Sequence, residues 1–412
     1  MIIDISIKNF LSIKEKIVLS LEGSSSKRLE NNFFNISEEL KLLKTIAIYG
    51  ANASGKSNIL KAINFFILMI INSGNHKPSE NINFFPFLLD NDCQQKPTEF
   101  EINFIIDNIK YNYGFSYNSK KIISEFLYYW PKGTKSIIFE RENNKFKFNT
   151  DKTEQKKLEK LTLENNLYLS KSAQLNYKKC RKVFEYFYNN FIVDINPSWV
   201  DFTIKKISED KNIKIKILEI LKKADFGGIV DIEVKKERKK IDGFEFLMKD
   251  KIPELKHSKT EEDIYETKII HLDESGNKVS FPISLESEGT KRIIQILGPL
   301  LNILEHGKIL FIDEIELNLH PEISKLLVKM FNSKNNSKNA QLIFTTHDTN
   351  LLDNDLFRKD QIYLTSKKPN KFTELESLFD YDIRENMDFE KAYLNGRVGG
   401  VPFLDFDLYK NG

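Results

Sequence analysis

Two cysteines, Cys93 and Cys180, are all the sulfhydryls the chain has. That is too few for a disulfide framework or a cysteine-based zinc site. Nor does one sign of charge dominate: 62 Lys and Arg against 59 Asp and Glu leave a net +3. A dedicated nucleic-acid binder shows a clearer basic excess, so this balance leaves nucleic acid open as a partner. The longest uninterrupted apolar run, Phe65 to Ile71, is too short to span a bilayer. The opening MIIDISIKNFLSIKEK lacks the basic-then-apolar layout of a secretory leader. The expectation is a cytoplasmic protein with no membrane partner. No heptad pattern persists for three or four repeats, which argues against a long coiled-coil arm. His76, His257, His271, His306 and His320 fall at no metal-ligand spacing.

What is present suits a globular chain: 412 residues, 41% hydrophobic and 12% aromatic. Ile3, Ile5 and Ile7 alternate with polar residues as in a strand, and a second strand is expected over Ile13 to Leu21. Thr45 to Tyr49 is a short apolar strand leading through a Gly-bearing turn into a helix from Lys56 to about Ile71. Thr98–Ile106 and Lys110–Tyr117 form an expected hairpin across Asp107-Asn108, continued by Ile122–Trp130 and Ser136–Arg141. Residues 152–190 and 210–223 are polar and helical, followed by a strand over 229–234 and the basic run Lys235 to Lys240, which reads as a solvated surface. Lys268–Leu272 and Val279–Ile283 make a further hairpin. A helix after Gly289, strands at 309–312, 341–345 and near 362, and a helix from Pro321 complete an alternating α/β pattern with a largely parallel core sheet.

Gly50-Ala51-Asn52-Ala53-Ser54-Gly55-Lys56-Ser57 satisfies G-x-x-x-x-G-K-[ST] at each fixed position, after a strand and opening a helix. Chance produces that pattern in roughly one or two per cent of chains of this length, so the match favours a phosphate loop. Its glycines let backbone N–H groups curl around phosphates at the positive end of a helix. Lys56 would reach the β- and γ-phosphates of ATP and Ser57 would hold Mg²⁺. Asn52, Ser54 and Asn58 complete the candidate nucleotide-binding set with Gly50 and Gly55.

The apolar strand Ile309–Ile312 ends in Asp313-Glu314. Asp313 is the second candidate Mg²⁺ residue, and Glu314 can take a proton from an attacking water. A further strand ends in His347, which could hydrogen-bond the γ-phosphate. Ser287 and Gly289 stand at the start of an apolar helix, where N–H groups are free for an anion. On its own the same pair is an ordinary Ser N-cap with a glycine.

Taken in order, phosphate loop, S-x-G at a helix start, hydrophobic-Asp-Glu and strand-to-His resemble the ABC-type and SMC-like ATPases. That resemblance implies an α/β, ABC-type P-loop ATPase with a mostly parallel core sheet, an antiparallel β subdomain and an inserted helical lid. The expected division is 1–149 with the phosphate loop, 150–265 as the lid, and 266–412 with the signature, Asp313-Glu314 and His347. In the family, the S-x-G segment touches the γ-phosphate held by a facing protomer, so a homodimer or higher homo-oligomer is implied. The usual signature reads L-S-G-G, and Glu288 stands here where its first Gly would be. The customary glutamine is not identifiable beyond Gln94 and Gln95.

Asn9-Phe10, Tyr128 to Gly133, Glu286 to Arg292, Leu317 to Pro321, Thr345 to Leu352, Phe357 to Ile362 and Glu390 to Arg397 narrow the likeness. Together they resemble bacterial RloA/AbiL-like ATP-binding proteins, relatives of the ATPase half of OLD-type nucleases. The resemblance implies ATP hydrolysis in antiphage defence or abortive infection, with a nearby-encoded effector such as a nuclease or toxin. The residues after His347 are taken up by a strand and a helix, so such an effector is expected in trans. An SMC-like DNA-repair ATPase that clamps DNA is the competing expectation. A transporter subunit is disfavoured by the long stretch between Ser57 and Ser287.

Overall fold

A computed structural model describes residues 1–193, 199–224, 228–249, 252–317, 319–367, 372–384 and 387–400, with the side chains of 240–262 outside that description. The chain divides into two compact units. The first comprises Met1–Asp194, Ile303–Leu317 and Ser324–Gly412; the second comprises Ile195–Asn302 and Asn318–Ile323.

Two sheets build the first unit. A seven-stranded antiparallel sheet runs, in spatial order, Lys145–Phe148, Ser136–Glu142, Ile122–Tyr129, Ile109–Tyr117, Thr98–Ile106, Ile2–Lys8 and Ile17–Ser20. Asp107 and Asn108 both take positive φ (49° and 60°), the turn that matches strand twist in a two-residue hairpin. The second sheet has the order Phe191–Val193, Ile309–Ile312, Gln341–Thr345, Thr45–Gly50, Ile362–Lys367 and Thr373–Ser377. All its pairings are parallel except the last. Its inner strands, Ile309–Ile312, Gln341–Thr345 and Thr45–Gly50, are buried along their whole length, which explains their continuous apolar runs.

Helix Lys56–Asn72 buries Ile59, Ala62, Ile63, Phe66 and Ile70, a stripe at helical spacing. Phe66 stacks on Phe115 of the antiparallel sheet with ring centroids 5.6 Å apart and meets Phe187 edge-on at 5.7 Å. The apolar run that was too short to cross a membrane thus belongs to a longer element. Lys56–Asn75 is long and apolar enough to do so by length and composition alone. Its apolar face is instead spent on this core, because intervening Asn and Lys residues set the amphipathic period without breaking the helix.

Helices Lys152–Glu159, Tyr168–Gln174 and Lys178–Asn190 belong to the first unit and bring Leu158, Tyr168, Leu169, Val183 and Phe187 into the same core. Glu125 and Arg141, 0% and 1% exposed, lie 3.8 Å apart beneath them. Glu125 accepts the N–H groups of Tyr168 and Leu169 and the Tyr113 hydroxyl. Arg141 donates to the carbonyls of Asn143 and Asn166. Burial pushes the Glu125 carboxyl up, with Arg141 and the three donors opposing.

The second unit holds helices Trp199–Glu209 and Lys211–Lys223, the hairpin Ile229–Lys249 with Ile252–Leu272, strand Lys278–Pro282 and most of helix Glu288–His306. The strand expected over 229–234 is therefore the first part of a 21-residue strand. Pro299 lies inside the last helix and cannot donate to the Gln295 carbonyl. Thr203 Oγ1 supplies that bond at 3.2 Å, and Gly298 leaves room for Thr203 to approach.

Candidate functional site

Strand Thr45–Gly50 delivers the chain into the glycine-bearing loop with Gly50 at φ +152°, and Gly55 at φ +110° releases it into helix Lys56–Asn72. These are backbone conformations that side chains disfavour. A Cβ on Gly55 would lie 2.0 Å from Thr373 Oγ1, and one on Gly50 would lie 2.1 Å from Thr365 Oγ1. Both glycines therefore also admit close neighbours. Ser54 is buried, its hydroxyl 2.6 Å from that of Thr365, while its carbonyl accepts from Thr373 Oγ1 at 2.8 Å. Asn58 donates to Ser12 Oγ, which in turn meets Thr373 Oγ1 at 2.7 Å. Asn52 lies exposed on the loop and Ser57 sits half-buried in the first helical turn.

Lys56 is 5% exposed, and its ammonium donates to the carbonyls of Gly50 (2.7 Å) and Ala51 (3.1 Å). Burial pushes its pKa down to about 8, against the pull of Asp313, Glu314 and Glu316. His347 Nδ1 lies 3.4 Å from Lys56 Nζ, the long end of hydrogen bonding. Burial first, then the neighbouring ammonium, hold the His347 ring below its ordinary value. With the Lys56 ammonium as donor, the neutral ring would accept at Nδ1 and carry its proton on Nε2.

Asp313 and Glu314 follow the buried strand Ile309–Ile312, the next but one from the loop strand. Thr345 Oγ1 donates to Asp313 Oδ1 at 2.5 Å and accepts the Glu314 N–H at 2.8 Å. The other oxygen of Asp313 remains to meet a cation. Among the described residues no group of three His, Cys, Asp or Glu side chains could hold a metal by itself. Mg²⁺ suits this donor set, because it binds through one or two carboxylates, phosphate and retained waters. The next acid, Glu316, accepts the His347 N–H at 2.6 Å.

Lys56, Asp313, Glu314 and His347 therefore share one electrostatic site in the first unit. Ser287 and Gly289 lie in the second unit, at the start of helix Glu288–His306. Ser287 Oγ accepts the Thr290 N–H at 3.1 Å, which is an N-cap. Glu286 accepts from or pairs with His271 Nε2 at 2.8 Å. Gln94 spends its amide on the Leu88 carbonyl in its own short turn. No sequence motif marks Ser12, Thr345, Thr365, Thr373 or Glu316. The one local signal was the hydroxyl-bearing Thr345-Thr346 pair immediately before His347.

A parallel sheet whose inner strand feeds a glycine-bearing loop into a helix, with carboxylates at the next strand but one, defines an α/β P-loop fold. The family described as "AAA domain, putative AbiEii toxin, Type IV TA system" matches residues 46–353, and the chain belongs to that family. Among solved structures it is similar to the SMC head domain from Thermotoga maritima, at 13% identity over 91% of this chain and 98% of that one, with a TM-score of 0.42. It is also similar to the Pyrococcus furiosus Smc head domain with an extended coiled coil bound to the C-terminal domain of ScpA. That likeness has 16% identity over 95% and 97% of the two chains and a TM-score of 0.41. No curated protein matches the chain.

Proposed function

We propose that the protein binds and hydrolyses ATP with Mg²⁺ and uses the cycle as a sensor or scaffold in bacterial antiphage defence. The observation that carries the hydrolytic part is the meeting of Lys56 with His347, beside Asp313 and Glu314, at the mouth of the phosphate loop. In this reading the loop N–H groups and Lys56 hold the β- and γ-phosphates. Ser57 and Asp313 would hold Mg²⁺, which would supply positive charge against the phosphates. Glu314 accepts the proton of the attacking water, and His347 donates to the γ-phosphate. Ser287 and Gly289 would meet the nucleotide of a second copy, which makes the active form a dimer or a larger homo-oligomer.

The defence role rests on the RloA/AbiL-like phrases, and the family's description, which names an AbiEii toxin and a type IV toxin–antitoxin system, supports it. A separately encoded nuclease or toxin would act as effector. The test is phage plating on bacteria carrying the gene with its native neighbours, beside Lys56→Ala. Protection that disappears in Lys56→Ala supports the proposal. No protection across a broad phage panel refutes the defence role, and sensitivity to DNA damage in a deletion strain would then favour a DNA-repair clamp.

A further inference from the structure

The turn after strand Ile309–Ile312 is fastened to the end of strand Gln341–Thr345 by four hydrogen bonds. Thr345 makes three of them: its hydroxyl donates to Asp313 Oδ1 (2.5 Å) and accepts the Glu314 N–H (2.8 Å), and its carbonyl accepts the Ile315 N–H (3.1 Å). The fourth runs from the His347 N–H to Glu316 Oε1 at 2.6 Å. Thr345 is fully buried, so its hydroxyl has no water to turn to, and one donor and one acceptor role are both filled here.

Glu314 has φ +52°, a left-handed conformation that a residue with a side chain seldom adopts. The positive φ also ends the strand's alternation, which would otherwise send Asp313 and Glu314 to opposite faces. The Glu314 N–H is held in that turn by Thr345 Oγ1. The same oxygen, through its proton, fixes one oxygen of Asp313. One hydroxyl thus ties the Asp313 carboxylate to the backbone turn that carries Glu314.

We propose that Thr345 is a positioning residue for hydrolysis: its hydroxyl holds the Asp313 carboxylate for the cation and, through the Glu314 N–H, the backbone turn that presents Glu314 to the attacking water. The assignment rests on the hydrolytic reading above. A hydroxyl that merely satisfies a strand end would affect folding but not metal dependence or the hydroxyl-specific rate.

The experiment measures steady-state ATP hydrolysis against ATP and Mg²⁺ for the full chain and for Thr345→Ser, Thr345→Ala and Thr345→Val, with thermal midpoints alongside. Ala and Val are expected to lower kcat by about 10- to 100-fold, the usual effect of a misplaced catalytic group. They should also raise the Mg²⁺ concentration for half-maximal rate while the KM for ATP stays close to wild type. Ser restores the rate. Ser and Ala differ by the hydroxyl alone, so this pair decides the matter even if Val does not fold. Ala turning over as fast as Ser, or Ser as slow as Ala, would overturn the assignment while leaving the ATPase reading intact. A wild-type chain that hydrolyses no ATP overturns both.

Discussion

Lys56 combines a structural commitment with a titration in the working range. Its ammonium is buried against two loop carbonyls and its pKa is pushed down to about 8 from 10.5. If phosphates bind only the ammonium, the apparent Kd for ATP scales as one plus the ratio of neutral to charged Lys56. That factor is about 1.1 at pH 7 and about 11 at pH 9 for a group titrating near 8, so affinity should weaken roughly tenfold across two pH units. The nucleotide's terminal phosphate is already ionised across most of this range, with a second pKa near ~6 typical of phosphate esters. Folding stability should move the other way. Between about 8 and 10.5 the unfolded chain still holds the proton that the folded one has lost, so stability without nucleotide rises with pH there. Equilibrium titration with a fluorescent ATP analogue at pH 7, 8 and 9, with Lys56→Ala as a weak and pH-independent control, measures the effect. A wild-type Kd constant across the series would refute the burial argument for this lysine.

Glu314→Gln should retain ATP binding and lose hydrolysis by about 10²–10⁴, the range for a general base, in a phosphate-release assay; unchanged turnover removes Glu314 from that role. Gly55→Ala should abolish ATP binding in the same fluorescence titration, because its Cβ would lie 2.0 Å from Thr373 Oγ1 at φ +110°. Binding at wild-type strength would mean that the loop tolerates the shift. Glu125→Ala should cost about 3–5 kcal/mol in urea unfolding, since it leaves the Arg141 guanidinium buried without its counter-charge. A loss under about 1 kcal/mol would show that the carbonyls of Asn143, Leu163, Glu164 and Asn166 satisfy Arg141 by themselves.

The phosphate loop was legible because its chemistry is local. Gly50 and Gly55 stand where positive φ is needed, and the strand and helix flank them directly. Strands 309–312 and 341–345 were legible for a related reason, since burial on both faces leaves continuous apolar runs. The bracing of the loop was not, because Thr365 and Thr373 reach Ser54 across more than 300 residues of sequence. The long hairpin was equally hidden. Over Lys235 to Lys240 its first strand is charged rather than alternating, and it is joined to its neighbour by the backbone ladder and by exposed cross-strand pairs such as Lys236–Asp263 at 2.7 Å. A hydrophobicity pattern cannot register such pairs.

Strand order and register explain why four separated residues form one site. Strand Gln341–Thr345 lies between the loop strand and the strand that ends at Asp313. Phe344 pairs with both Ala47 and Ile312, and Thr345 pairs with Ile48. Continuing these registers brings Thr345 level with Asp313 and His347 level with Gly50. Lys56 folds back onto the Gly50 carbonyl, so its ammonium arrives where His347 Nδ1 already is. A slip of one residue in this strand would turn Thr345 and His347 to the opposite face together. The hydroxyl that holds the Asp313 carboxylate and the Glu314 N–H shares one parity with the imidazole beside Lys56. Thr345 and Glu316 thus tie the end of this strand to the turn that carries Asp313 and Glu314.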